Sequence, residues 1–149
     1  MGERMSIEGT ATRRVRILLI EDNPADVDLL RRAFLSAQLD CELTVLEDGA
    51  EALALVRRLE AHEGESPPDL AVLDLNLPKN DGIEVLQAMR ASTSFGRVPV
   101  AILSSSASSR ERARIEQYGI GRYITKPPDL DEFLRIGLTI KALLAEQRQ

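Results

Sequence analysis

Few residues in this chain are equipped for chemistry, and they fall in four short places. Glu21 and Asp22 stand side by side after the apolar run Val15–Ile20. Asp74 closes a second apolar run that begins at Leu70. Ser104, Ser105 and Ser106 follow a third, Val98–Leu103. Lys126, one of only three lysines, is followed at once by Pro127 and Pro128. Carboxylates gathered in one place repel each other and call for a cation. Hard oxygen ligands favour Mg²⁺, which keeps some of its waters and takes few protein groups. A lysine and a hydroxyl beside such a cluster supply the positive charge and the hydrogen-bond donor that a phosphoryl group needs. Aspartate can act as the nucleophile. Brought together, these residues would make a carboxylate that accepts a phosphoryl group with the help of a metal ion.

Composition removes several other chemistries. The chain has 149 residues, 44% apolar and 29% charged, which suits one folded domain and not a disordered one. No apolar stretch approaches the ~18–20 residues of a membrane span. The first fifteen residues carry Arg4, Arg13 and Arg14 but no apolar block, so no secretory signal is expected and the location is expected to be cytoplasmic. The single cysteine, Cys41, excludes an internal disulfide and any cysteine zinc cluster. The single histidine, His62, lies in a polar run and is expected to be a solvated loop residue. A net charge of −5 argues against nucleic acid as a partner.

The elements that must position the reactive residues can be read from the apolar pattern. Val15–Ile20, Leu70–Leu73 and Val98–Leu103 are short, nearly continuous apolar runs, as strands buried on both faces of a parallel sheet are. Cys41–Leu46 alternates and suggests an edge strand; Arg122–Thr125 is the weakest of the five. Helical periods fill the gaps, each preceded by a cap. Asn23-Pro24-Ala25-Asp26, Asp48–Glu51, Asp81–Glu84, Ser108–Glu111 and Asp129–Glu132 each place a short polar residue three before an acid. Five strands, each followed by a helix, give an α/β fold, (βα)5, with a doubly wound parallel sheet. Ligands of such sheets bind beyond the carboxyl ends of the strands. Every reactive residue stands just there. Residues 1–14 have no period and are expected to be a mobile tail ahead of a single domain spanning 15–149.

Four segments then carry a resemblance: Ile20-Glu21-Asp22-Asn23, the stretch from Leu73-Asp74-Leu75-Asn76 to Asp81-Gly82, Leu103-Ser104-Ser105, and Thr125-Lys126-Pro127-Pro128. In this order, each after a strand, they resemble the receiver domain of two-component response regulators, over roughly residues 15–145. The resemblance implies the flavodoxin-like strand order 2-1-3-4-5. It also implies Asp74 as phosphoryl acceptor, Asp22 as a direct Mg²⁺ ligand, Glu21 acting at the metal through water or as a second acid, and the Asn76 carbonyl as a further ligand. Lys126 would contact the phosphoryl oxygens and Ser104 would close onto them. Tyr123, three before Lys126, matches the family's aromatic switch position. A cis Lys126–Pro127 bond is implied as well.

With no output domain fitting into Glu132–Gln149, the expected function is a stand-alone receiver. It would be switched by a sensor histidine kinase and act by protein contact. Glu-Asp-Asn-Pro-Ala-Asp together with Asp-Leu-Asn-Leu-Pro-Lys-Asn-Asp-Gly looks like the single-domain regulators paired with bacterial phytochrome kinases. The competing reading is a Mg²⁺-dependent phosphatase or phosphotransferase working through an aspartyl phosphate. Such enzymes usually carry a second Asp two residues after the nucleophile, where this chain has Asn76. Finally, the last helix shows an apolar arc of about 220°, against the roughly 100° stripe of a helix that faces one core. Ile136 and Leu143 sit on the flank of that arc, and a homodimer covering them is expected.

Overall fold

A computed structural model describes residues 14–62, 65–77, 82–106 and 108–147. The tail expected at 1–14 lies outside them but for Arg14. Five strands alternate with helices: β1 (Val15–Ile20), α1 (Pro24–Ser36), β2 (Cys41–Leu46), α2 (Gly49–Ala61), β3 (Leu70–Asp74), α3 (Gly82–Ala91), β4 (Val100–Ser104), α4 (Ser109–Glu116) and β5 (Arg122–Thr125). The chain ends in α5 (Leu130–Leu134) and α6 (Ile136–Gln147). All strand pairs are parallel, in the order β2-β1-β3-β4-β5.

The continuous apolar runs become the central strands, because a strand covered by helices on both faces cannot carry an exposed polar side. Successive side chains of β1 go to opposite sides. Leu18 and Ile20 join Val56, Leu73, Val85, Met89 and Ile115 under α2, α3 and α4. Ile17 and Leu19 join Leu30, Phe34, Val72, Leu103 and Ile140 under α1 and the C-terminal helices. In β2, at one edge, exposed Glu42 and Thr44 alternate with half-buried Cys41, Leu43 and Val45.

The caps form as local chemistry dictates. Asp48 and Ser108 accept from the third amide of their helices, Glu51 and Glu111; Asn23 and Asp129 accept from the second, Ala25 and Asp131. Asp81 lies outside the described residues. Glu51 reaches back from the third position, to the Glu47 amide at 3.2 Å. Asp26 and Glu111 turn their carboxylates elsewhere, with consequences described below.

The C-terminal segment departs from expectation twice. The helix is interrupted at Arg135, which separates α5 from α6. More importantly, Ile136 and Leu143 are not surface residues: they are 3% and 1% exposed, inside the domain's own core. The dimer contact inferred through them is therefore withdrawn. The wide apolar arc has an internal cause. The C-terminal helices pack on the sheet and on α1 at once, so two neighbours bury one broad face. Gly137 allows that approach, since a Cβ there would lie 2.1 Å from the Ala33 carbonyl oxygen. Leu143 lies beside Gly121 at the start of β5. Leu138, on the far side of α6, is exposed, as is Leu130 at the start of α5.

One ionic clamp ties α2 to the loop between α3 and β4. Glu60 accepts from the hydroxyls of Ser92 (2.5 Å) and Thr93 (2.9 Å) and from the Ser94 amide (2.9 Å). The Ser92 hydroxyl, then the Ser94 amide and Thr93, hold its carboxyl down at about 2, below the usual 4.5. A carboxyl whose pKa falls on folding binds protons more tightly in the unfolded chain. Its contribution is complete above about pH 4.5 and is lost as the pH falls through about 2. Glu60→Gln is expected to lower the urea midpoint at pH 7 and to flatten the acid limb. The gap from wild type should narrow between pH 4.5 and 2. A gap that does not change with pH would count against the clamp.

Candidate phosphoryl-acceptor site

The carboxyl ends of β1, β3, β4 and β5 meet at one edge of the sheet. Glu21 directly follows β1, and its amide continues the ladder to the Leu46 carbonyl at 2.9 Å. Asp74 is the last residue of β3, Ser104 the last of β4, and Lys126 follows β5, its amide bonded to the Ser104 carbonyl at 2.8 Å. Parallel pairing in register thus gathers residues more than a hundred positions apart. Gly82 brings the start of α3 against this edge. A Cβ there would lie 2.6 Å from the Leu75 Cα and 2.9 Å from the Asp74 carbonyl oxygen.

Glu21, Asp22 and Asp74 each offer a carboxylate oxygen within 4.8 Å of the other two. Asp22 is exposed while Glu21 and Asp74 are buried, so the cluster is open on one side only. Lys126 Nζ sits among the acids, 3.0 Å from Glu21 Oε1, 2.8 Å from Asp26 Oδ2 and 3.2 Å from Asp74 Oδ2. The other Asp74 oxygen, Oδ1, accepts the Asn76 amide at 2.9 Å. Three carboxylates thus surround one ammonium, with Asp22 beside two of them. Burial, reinforced by the neighbouring Asp74, pushes the Glu21 carboxyl up to about 8, although Lys126 pulls the other way. Burial works against the Lys126 charge too, but its hydrogen bonds to Asp26 and Glu21 outweigh it and hold the ammonium above its ordinary range. The donor set, hard oxygens with excess negative charge and one open side, fits a divalent cation.

The Lys126–Pro127 bond is trans, contrary to the resemblance-based expectation. Lys126 is aimed by the ladder bond of its own amide instead. Ser104 and Tyr123 are near the cluster but occupied elsewhere. Ser104 Oγ donates to Glu111 Oε1 at 3.0 Å and accepts the Ser106 amide at 3.0 Å. The Tyr123 hydroxyl donates to the same Glu111 oxygen at 2.8 Å, with the Ser106 carbonyl at 3.2 Å. Tyr123 is half-buried against the β4–α4 loop, with the Arg112 guanidinium 5.5 Å from its ring centre. The sequence reading missed Asp26 and Glu111, having taken both as helix caps. Their one signal was position: each is the third residue of a helix that starts beside a site loop.

The family model for the response regulator receiver domain matches residues 17–136. The chain belongs to this family. The receiver is 32% identical over 130 residues to the response regulator Rcp1 of Synechocystis sp. (strain ATCC 27184 / PCC 6803 / Kazusa), a match covering 87% of this chain and 88% of that protein. Its fold superposes with a TM-score of 0.80 on the phosphorylated cyanobacterial phytochrome response regulator RcpA. Identity there is 33%, with 91% of this chain and 96% of that one covered. The Mn²⁺-bound form of Rcp1 gives a TM-score of 0.76 at 32% identity, covering 86% of this chain and 92% of that one. No described helix of the receiver is long and apolar enough to cross a membrane.

Proposed function

We propose that the receiver accepts a phosphoryl group on Asp74 from a phosphohistidine of a sensor histidine kinase. The reading rests above all on one observation: the buried Asp74 carboxylate is held between the Asn76 amide and Lys126, beside Glu21 and Asp22. The Asp74 oxygen attacks phosphorus, the P–N bond to the imidazole breaks, and the imidazole recovers a proton. Lys126, 3.2 Å from Asp74 Oδ2, would balance charge on the transferred oxygens, and Ser104, the last residue of the neighbouring strand β4, would donate its hydroxyl to one of them. Glu21, Asp22, Asp74 and the Asn76 carbonyl are the proposed ligands of Mg²⁺, which when bound neutralises charge on the phosphoryl group and its acceptor. The likeness to RcpA, a phytochrome response regulator, supports a bacterial phytochrome as the kinase, and membership of the receiver family supports the cytoplasm as the location.

Asn76 in place of a second Asp favours a stoichiometric acceptor over a phosphatase. With Mg²⁺ and a small phosphodonor such as acetyl phosphate, incorporation should level off at one phosphoryl group per chain. Hydrolysis of added phosphomonoesters should stay at background. Sustained turnover of such esters would favour the phosphatase instead.

A further inference from the structure

Glu111 is the third residue of α4, after the cap Ser108. In a capping box its side chain would return to the Ser108 amide. Here that amide is taken by Ser106 Oγ at 3.1 Å, and the Glu111 carboxylate turns inward. One of its oxygens receives both the Ser104 and the Tyr123 hydroxyl protons, at 3.0 and 2.8 Å. Ser104 is fully buried, and its oxygen already accepts from the Ser106 amide. A serine hydroxyl has a single proton to give. Whatever else Ser104 is to donate to must displace Glu111.

We infer that Glu111 is a positioning residue that holds the Ser104 and Tyr123 hydroxyls in the unphosphorylated receiver and competes with the phosphoryl group for the Ser104 proton. This rests on the acceptor role proposed for Asp74. Glu111 touches neither Asp74 nor Lys126 in any hydrogen bond described. It acts through Ser104, setting how readily the site closes on its phosphoryl group. Because the same oxygen also holds Tyr123, release of Ser104 alters the partner of the tyrosine at the sheet's edge strand. The two switch residues are thereby linked through one carboxylate.

The test has two readouts. The first is titration of the Tyr123 phenol, followed by the ¹³Cζ resonance of labelled tyrosine, which separates it from Tyr118. Burial, and then the Glu111 carboxylate, keep this phenol above its ordinary value despite Ser104. Glu111→Gln removes the charge and should move the titration downward. An unchanged titration overturns the proposal. The second readout is affinity for beryllofluoride, a phosphoryl mimic, at fixed Mg²⁺. Glu111→Gln should bind it roughly tenfold more tightly, the scale of one hydrogen bond to a charged group. In a Ser104→Ala background the same substitution should have no effect. A gain that persists without Ser104, or no gain in its presence, overturns the proposal. If the wild type itself does not take beryllofluoride at Asp74, the acceptor reading fails and the competition falls with it. If the wild type binds and Glu111→Gln binds equally, only the role of Glu111 fails.

Discussion

Asp74→Asn is expected to reduce acid-labile phosphate incorporation to background while leaving the receiver folded. Asparagine keeps the size and can still accept from the Asn76 amide, which holds Asp74 Oδ1 at 2.9 Å. It lacks the negatively charged oxygen that attacks phosphorus, so the loss is one of chemistry and not of structure. The same variant carries an electrostatic signature. Glu21, Asp26 and Asp74 surround a single ammonium with Asp22 beside them, and removing one charge relieves repulsion in the metal-free chain. Without metal, Asp74→Asn should therefore unfold at a temperature equal to or above that of the wild type. Mg²⁺ should reverse the order. At a hundredfold excess over its Kd a bound ion contributes about 2.7 kcal/mol, or about 5–11 °C in Tm for a chain of this size. That gain should be full in the wild type and reduced in Asp74→Asn. Label retained at the wild-type extent, or an equal Mg²⁺ shift in both proteins, would show that Asp74 is not the acceptor at the centre of the cluster.

Gly137→Ala is expected to be the most damaging single-methyl change in the C-terminal helices. Helix propensity alone predicts the opposite, a gain of about 1 kcal/mol. The added Cβ, however, would lie 2.1 Å from the Ala33 carbonyl oxygen and 2.6 Å from its carbon. Both are backbone atoms of α1 and cannot step aside as a side chain can. The α6 helix must therefore lift from α1, opening contacts among Phe34, Ile136 and Ile140. Overpacking of this kind costs about 1–3 kcal/mol, and a rigid backbone neighbour places it at the upper end. A fall in Tm of about 4–10 °C follows for a chain of this length. Thermal unfolding decides between the two effects by sign: a rise in Tm would mean that α6 does not pack on α1 this closely. Below the transition, phosphoryl uptake should persist, since Asp74 and Lys126 are carried by other elements.

The sequence alone settled the architecture. Short apolar runs, each followed by a capped helical period, permit little besides a parallel sheet covered on both faces, and all five strands form within a few residues of the expected places. The convergence of Glu21, Asp22, Asp74 and Lys126 follows from the same reasoning, because residues just beyond parallel strands share one edge. What the sequence could not decide were contacts depending on which way a side chain turns. An acid three residues after a helix cap has the same local pattern whether it caps or reaches across the fold. Glu51 stays local, whereas Asp26 pairs with Lys126 a hundred residues away and Glu111 bridges Ser104 and Tyr123. Local propensity does not distinguish these cases; the long-range partner does, and it exists only after the sheet has assembled. The burial of Ile136 and Leu143 was hidden for a related reason. Periodicity measures how wide an apolar face is, not how many neighbours cover it. Here the sheet and α1 together cover the arc that the sequence reading assigned to a second subunit.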